Sequence, residues 1–154
     1  MTPATITGGC QCGAVRYRAH DIGRASICHC RMCQKASGNY FMPLLEVGSL
    51  EWTRGKRGVF ASSNLSSRGF CQDCGTPLTL ETPTGTGLSY EVMIGSLDNP
   101  SAVNIDYHAN KADRLEIATR LNDIPEATAE RNLQNDAWNA RIVSHQHPDH
   151  DTPT

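Results

Sequence analysis

The chain has 154 residues, the size of one ordinary domain, and 38% of them are hydrophobic. With 14 basic against 16 acidic residues the net charge is −2 and no basic patch dominates, so no nucleic-acid partner is expected. No stretch reaches the ~18 apolar residues that span a bilayer, and "MTPATITGGC" lacks the basic and apolar regions of a leader, so a cytoplasmic chain without a membrane partner is expected.

Strand signals dominate in chain order. "GAVRYRA" alternates small or apolar with polar side chains. "YFMPLLEV", "LEWTRG", "GVFASS" and "LTLET" follow as short strands, with Pro43 marking an edge strand or a bulge. "LSYEVMIGSL" alternates most clearly, through Tyr90, Val92 and Ile94, and "AVNIDYHA" is a further candidate. "TRGKRG", "PTGTG" and "LDNP" supply turns. The expectation is a mainly β, antiparallel architecture over residues 1–124. From Pro125 the texture changes. "PEATAERNLQNDAWNARIV" lacks glycine and sets Ala129, Leu133, Ala137 and Ala140 along one helical face, with Trp138 near its end. A helix within 125–144, packed on the same domain, is predicted. Residues 145–154 are polar and read as a mobile tail, in which His145, His147 and His150 can bind stray metal.

The seven cysteines carry the chemistry. An odd number without a secretory signal argues against a disulfide framework and for metal binding or thiol chemistry in a reducing compartment. They fall as Cys10 and Cys12, then Cys28, Cys30 and Cys33, then Cys71 and Cys74. "GFCQDCGTPL" has the form of a zinc knuckle, in which glycine permits the positive φ of a tight turn. Structural zinc takes four ligands, with Zn–S near ~2.3 Å. The two outer pairs can therefore close one four-cysteine site. The triplet "CHCRMC" then holds a second ion with one position open, the arrangement of catalytic zinc. Two alternatives for the triplet remain: a redox cluster, or a second structural site closed by His29 or another histidine.

Five segments, "GGCQCGAVRY", "CHCRMCQKASG", "LEWTRG", "FCQDCGTPL" and "VMIGSLDNP", resemble the glutathione-dependent formaldehyde-activating (GFA, or CENP-V/GFA) family in order and spacing, over about residues 8–120. The resemblance implies an Mss4-like fold, small antiparallel sheets pinned by zinc. It assigns Cys10, Cys12, Cys71 and Cys74 to structural zinc and Cys28, Cys30 and Cys33 to catalytic zinc, two ions per chain, as ligand counting does. It also implies a carbon–sulfur lyase-type activity that joins formaldehyde to the thiol of glutathione. Two departures stand out: Gln34 where arginine is frequent, and "NIDYHANKADR" as a loose match to a histidine-containing strand. The C-terminal helix lies beyond the resemblance and offers a homodimer contact.

Zinc on three thiolates is a poor Lewis acid but keeps a bound thiolate nucleophilic, so a small thiol is the expected fourth ligand and an aldehyde its partner. A glutathione-like ligand has two carboxylates. Lys35 and Arg68 are the cations nearest the cysteine groups in sequence and the candidates to bind them. His29, flanked by two ligands, reads as a residue behind the ligands or at the surface. His108 reads as a satisfied core histidine in preference to a pocket acid/base. The competing function is a non-catalytic zinc module that binds a protein or small-molecule partner, with the triplet closed or empty.

Overall fold

The computed structural model describes residues 4–153. Its strands are β1 (Thr5–Gly9), β2 (Arg16–Cys28), β3 (Met42–Arg54), β4 (Gly58–Ala61), β5 (Ser67–Phe70), β6 (Pro77–Thr84), β7 (Gly87–Met93) and β8 (Tyr107–Ala109). Two α-helices, α1 (Arg31–Ser37) and α2 (Ala129–Asn139), and several short 3-10 turns complete the described chain. The mainly antiparallel β architecture with one C-terminal helix is as expected. The strands hydrogen-bond in the order β1-β2-β3-β7-β6-β5-β4. Among the described residues no helix is long and apolar enough to cross a membrane.

β2 and β3 organise the molecule. Each runs 13 residues, and they pair from Arg16↔Arg54 to Cys28↔Met42. "YFMPLLEV" and "LEWTRG", read as two strands, are therefore largely one, because the ladder to β2 carries the chain straight through Gly48. The cost is a bulge in β2 between Ile22 and Ala25, and a positive φ of 54° at Asp21. Pro43 sits in an inner strand, not at the sheet's edge. It lies one residue before the β7 ladder begins at Leu44↔Met93, so β3 is locally unpaired on that side.

Successive side chains of β3 point to opposite faces. Leu45 and Val47 join one buried cluster with Tyr17, Leu78 and Val92, while Met42 and Leu44 join a second with Cys28, Cys33 and Met93. The apolar run in the sequence thus reflects two buried faces. Tyr90, Val92 and Ile94 all reach the first cluster, as their alternation implied, although Ile94 lies in a 3-10 turn beyond β7. "AVNIDYHA" contributes only three residues of strand. They make the one parallel pairing among the described strands, β8 on β2 with Cys28↔Ala109, along the same edge that β1 occupies further back.

β1 and β5 lie far apart in strand order, yet the turns that follow them meet: Gln11 N donates to Thr76 Oγ1 at 3.0 Å. The sheet is therefore rolled, and β1 bridges to Leu97 beyond β7.

The C-terminal region departs from expectation in two ways. The helix is present, but none of its residues is buried. Leu133 is 71% exposed and Trp138 65%. Its alanine face is too small to displace water over any useful area, so the packing expected for residues 125–144 does not form. The tail, expected to be mobile, is docked. His147 N donates to Gln11 O at 2.7 Å, Arg16 holds Asp151 at 2.8 Å, and Arg54 bonds His147 and Thr152. Its polar residues find fixed cationic partners, which composition does not reveal. His147 packs on Gly13, and among the described residues no cluster of three metal-ligating side chains includes a tail histidine.

Candidate metal centres

Two turns build the first cluster. Cys10 follows β1 directly and Cys12 lies in the turn to β2; Cys71 follows β5 and Cys74 precedes β6. Each turn needs a glycine in the left-handed region, Gly13 and Gly75, both at φ +78°. The four Sγ atoms lie within 4.8 Å of one another. Cys10 and Cys12 are 3.5 Å apart, and Cys12 and Cys71 3.8 Å. Tetrahedral zinc with ~2.3 Å bonds sets sulfurs about 3.8 Å apart, whereas a disulfide needs about 2.05 Å. All seven cysteines are free. The residues fit a metal ion, and the donor set of four sulfurs fits zinc. Val15 N donates to Cys10 Sγ at 3.2 Å, and Thr76 Oγ1 lies 3.1 Å from Cys74 Sγ. Burial pushes the Cys71 thiol up to about 12. Burial also acts upward on Cys74, but hydrogen bonds from Thr76 and Cys12 outweigh it and bring that thiol down to about 6.

The second cluster is Cys28, Cys30 and Cys33, again with Sγ atoms within 4.8 Å. Its spacing has a local cause. Cys28 is the last residue of β2, Cys30 caps α1, and Cys33 lies in the first turn. Cys30 holds the extended φ/ψ of a cap (−61°, 151°), and its Sγ accepts from Cys33 N at 3.4 Å. The other two sulfurs accept from distant residues: Asn110 Nδ2 reaches Cys28 Sγ at 3.3 Å, and Arg68 Nη2 reaches Cys33 Sγ at 3.4 Å. The thiols compete for one charge. The hydrogen bond from Cys33 brings Cys28 down to about 5, and the same bond, with burial, pushes Cys33 up. A divalent cation held by Cys28, Cys30 and Cys33 would remove that conflict, since it would stabilise all three as thiolates. Cys30 is the most exposed of the three, so the set faces solvent on its side.

Among the described residues no histidine or carboxylate joins the triplet. His29 is buried, at 1% exposure, and its Nε2 lies 2.9 Å from His108 Nδ1. Burial first, then the nearby His108 and Arg114, keeps its pKa below the ordinary value. As expected, His29 is not in the triplet's donor set, and its burial excludes the surface position. His108 is not the core residue expected: it is exposed, because β8 lies on a sheet edge. Gln34, at the position that departs from the family pattern, is buried and donates to His29 O at 2.7 Å and Asp113 O at 3.2 Å.

The two cations singled out from sequence line one cavity of about 590 Å³ together with Arg31, Met32, Ala36, Phe60 and Ser62. Lys35 is exposed there. Arg68 is 8% exposed and already committed, to Cys33 Sγ, Met42 Sδ and Ser62 Oγ. Glu91 lies in the cross-strand row Arg68–Leu80–Glu91–Glu46, on the triplet's side of the sheet. Burial, then the charges of Glu46 and Cys28, holds its carboxyl above the ordinary range, and Arg68 partly offsets them. Sequence reading missed Asn110, Glu91 and Phe60, which are brought to the site by strand pairing alone. It also missed Arg31 and Met32, whose signal was available: residues 31–37 carry a helix cap and a terminating glycine.

The family model described as glutathione-dependent formaldehyde-activating enzyme matches residues 5–112. No curated protein matches the chain. A crystal structure of a Rhodobacter sphaeroides protein is similar at 18% identity and TM-score 0.48, covering 66% of this chain and 99% of that one.

Proposed function

Since the chain belongs to the glutathione-dependent formaldehyde-activating family, we propose that it joins a small anionic thiol of the glutathione kind to an aldehyde, with Cys28, Cys30 and Cys33 as the ligands of a reactive zinc and Cys10, Cys12, Cys71 and Cys74 as those of a structural one. The observation that carries this reading is the set of three converging sulfurs with no fourth protein ligand among the described residues. A zinc ion on those sulfurs would supply a position at which a thiol ionises near neutral pH. The chain's own residues support that chemistry. Arg68 and Asn110 donate to two of the sulfurs and fix them in place. Lys35 and Arg31 offer the substrate's carboxylates a cationic cavity rim. Glu91 lies on the triplet's face of the sheet, with its carboxyl held above the ordinary range by burial and by the charge of Glu46.

The reaction is redox-neutral. The thiolate sulfur attacks the carbonyl carbon, a C–S bond forms, and the C=O π pair moves to oxygen. That oxygen takes up one proton, matching the one lost from the thiol, and the product is a thiohemiacetal. In the cobalt-loaded protein, glutathione should change the sulfur-to-cobalt charge-transfer band, and Cys30→Ser should abolish the change while the fold persists. An unchanged band with the triplet demonstrably loaded would overturn the reading in favour of a non-catalytic zinc module that binds a partner.

A further inference from the structure

The cavity that shares Arg68 with the triplet is larger and less polar than a one-carbon aldehyde requires. Its volume of about 590 Å³ is that of a site for a drug-sized organic ligand. Met32, Lys35 and Ala36 stand at i, i+3 and i+4 on the outward face of α1, while Cys33 and Gln34 face inward. Phe60 stands across from Arg68 in the β4–β5 pair, and Arg68 Nη2 reaches Cys33 Sγ at 3.4 Å, so Arg68 is the lining residue that links the cavity to the triplet. Met32 is 52% exposed and Phe60 62%, within a concave surface.

The charged residues of the lining, Arg31, Lys35 and Arg68, are all cationic, and among the described residues none of them is in an ion pair. The complementary ligand is an anion with an apolar arm. Glutathione supplies the anion, but its formaldehyde adduct has no such arm and would leave Met32 and Phe60 uncovered.

We propose that the cavity takes the carbon chain of the aldehyde, so that the carbonyl substrate is an apolar aldehyde of several carbons and Phe60 and Met32 set that preference. This rests on the thiol–aldehyde reading above. In the thiohemiacetal the aldehyde's side chain is attached to the carbon bonded to sulfur. With sulfur at the triplet that side chain runs past Arg68 onto Phe60 and Met32, while the carboxylates take Arg31 and Lys35.

The test is calorimetric titration of the zinc-loaded protein with S-methylglutathione and S-hexylglutathione, which carry the arm without the free thiol. S-hexylglutathione should bind at least about tenfold tighter, since each buried methylene is worth roughly 0.8 kcal/mol. Phe60→Ala should remove most of that advantage and leave S-methylglutathione unchanged. With glutathione saturating, kcat/KM for hexanal should exceed that for propanal, whose carbonyl has similar intrinsic reactivity, and Phe60→Ala should remove the difference. Equal affinities for the two thioethers, or an equal loss of both in Phe60→Ala, would overturn the proposal. If the cobalt band still responded to glutathione, the thiol reading would stand without it. Tight S-hexylglutathione binding beside an unresponsive cobalt band would instead remove the thiol chemistry, and the aldehyde with it.

Discussion

Cys30 is at once a member of the triplet and the residue that stops the extended chain and starts α1, so its side chain answers both to the metal site and to the helix. Arg16 has a comparable double role at the other end of β2. It is buried, its Nη1 and Nη2 donate to the two Asp98 oxygens at 2.7 and 2.6 Å, and it also holds Asp151. Burial alone would raise the Asp98 pKa. Hydrogen bonds from Arg16 and Thr7, and Arg16's charge, reverse this and hold it below the ordinary carboxylate range. A depressed folded pKa contributes stability that is present above the unfolded value of about 3.9 and is lost as pH falls through the folded one. Asp98→Asn should therefore cost about 2–3 kcal/mol in urea denaturation at pH 7. The gap between variant and parent should narrow below about pH 4. A gap that stayed constant from pH 7 to 3 would show that the carboxylate's charge is not what matters.

α1 has 7 residues, too few to be stable alone, since isolated helices need about 12–15. It persists because both ends are fastened. Cys30 caps the start. At the other end Gly38, at φ +63°, returns its N–H to Gln34 O, and Ser37 Oγ donates to Cys33 O at 2.9 Å. A Cβ on Gly38 would meet no atom within 4 Å, so Gly38→Ala isolates the backbone term. Its cost should be about 1–2 kcal/mol, measured by chemical denaturation. Gly85→Ala, equally open but without a positive φ, is the control and should be nearly neutral. Equal effects of the two would show that the left-handed cap does not hold α1.

At the scale of the molecule, the tail is what joins the C-terminus to the four-cysteine end. Residues 146–149 form a wall of a cavity of about 300 Å³ whose other side includes Cys10, Gln11 and Arg16. His147 covers Gly13, the turn residue after Cys12. Ending the chain after Ser144 would remove partners of Arg16 and Arg54 and uncover that turn. The truncated protein should lose about 1–2 kcal/mol of stability, and a chelator should strip its four-cysteine metal several-fold faster while the triplet's release rate is unchanged. Identical melting and identical release would mean the docked tail contributes nothing.

Local chemistry was legible in the sequence. The paired and tripled cysteines, the glycines beside them, the alternation through Tyr90, Val92 and Ile94, and the helix after Pro125 all depend on contacts within a few residues, so spacing reports them. Whatever depends on pairing between distant segments was not legible. The fusion of two apparent strands into β3 follows from β2 lying alongside. Asn110 reaches Cys28 across 82 positions because β8 joins β2 in parallel, and Arg68 reaches Cys33 across 35 because β5 is in the same rolled sheet. The bare face of α2 and the docked tail escaped for the same reason. Periodicity says which face of an element is apolar and composition says which segment is polar. Only the closed three-dimensional chain decides whether a surface is there to receive the one, or a buried arginine to hold the other.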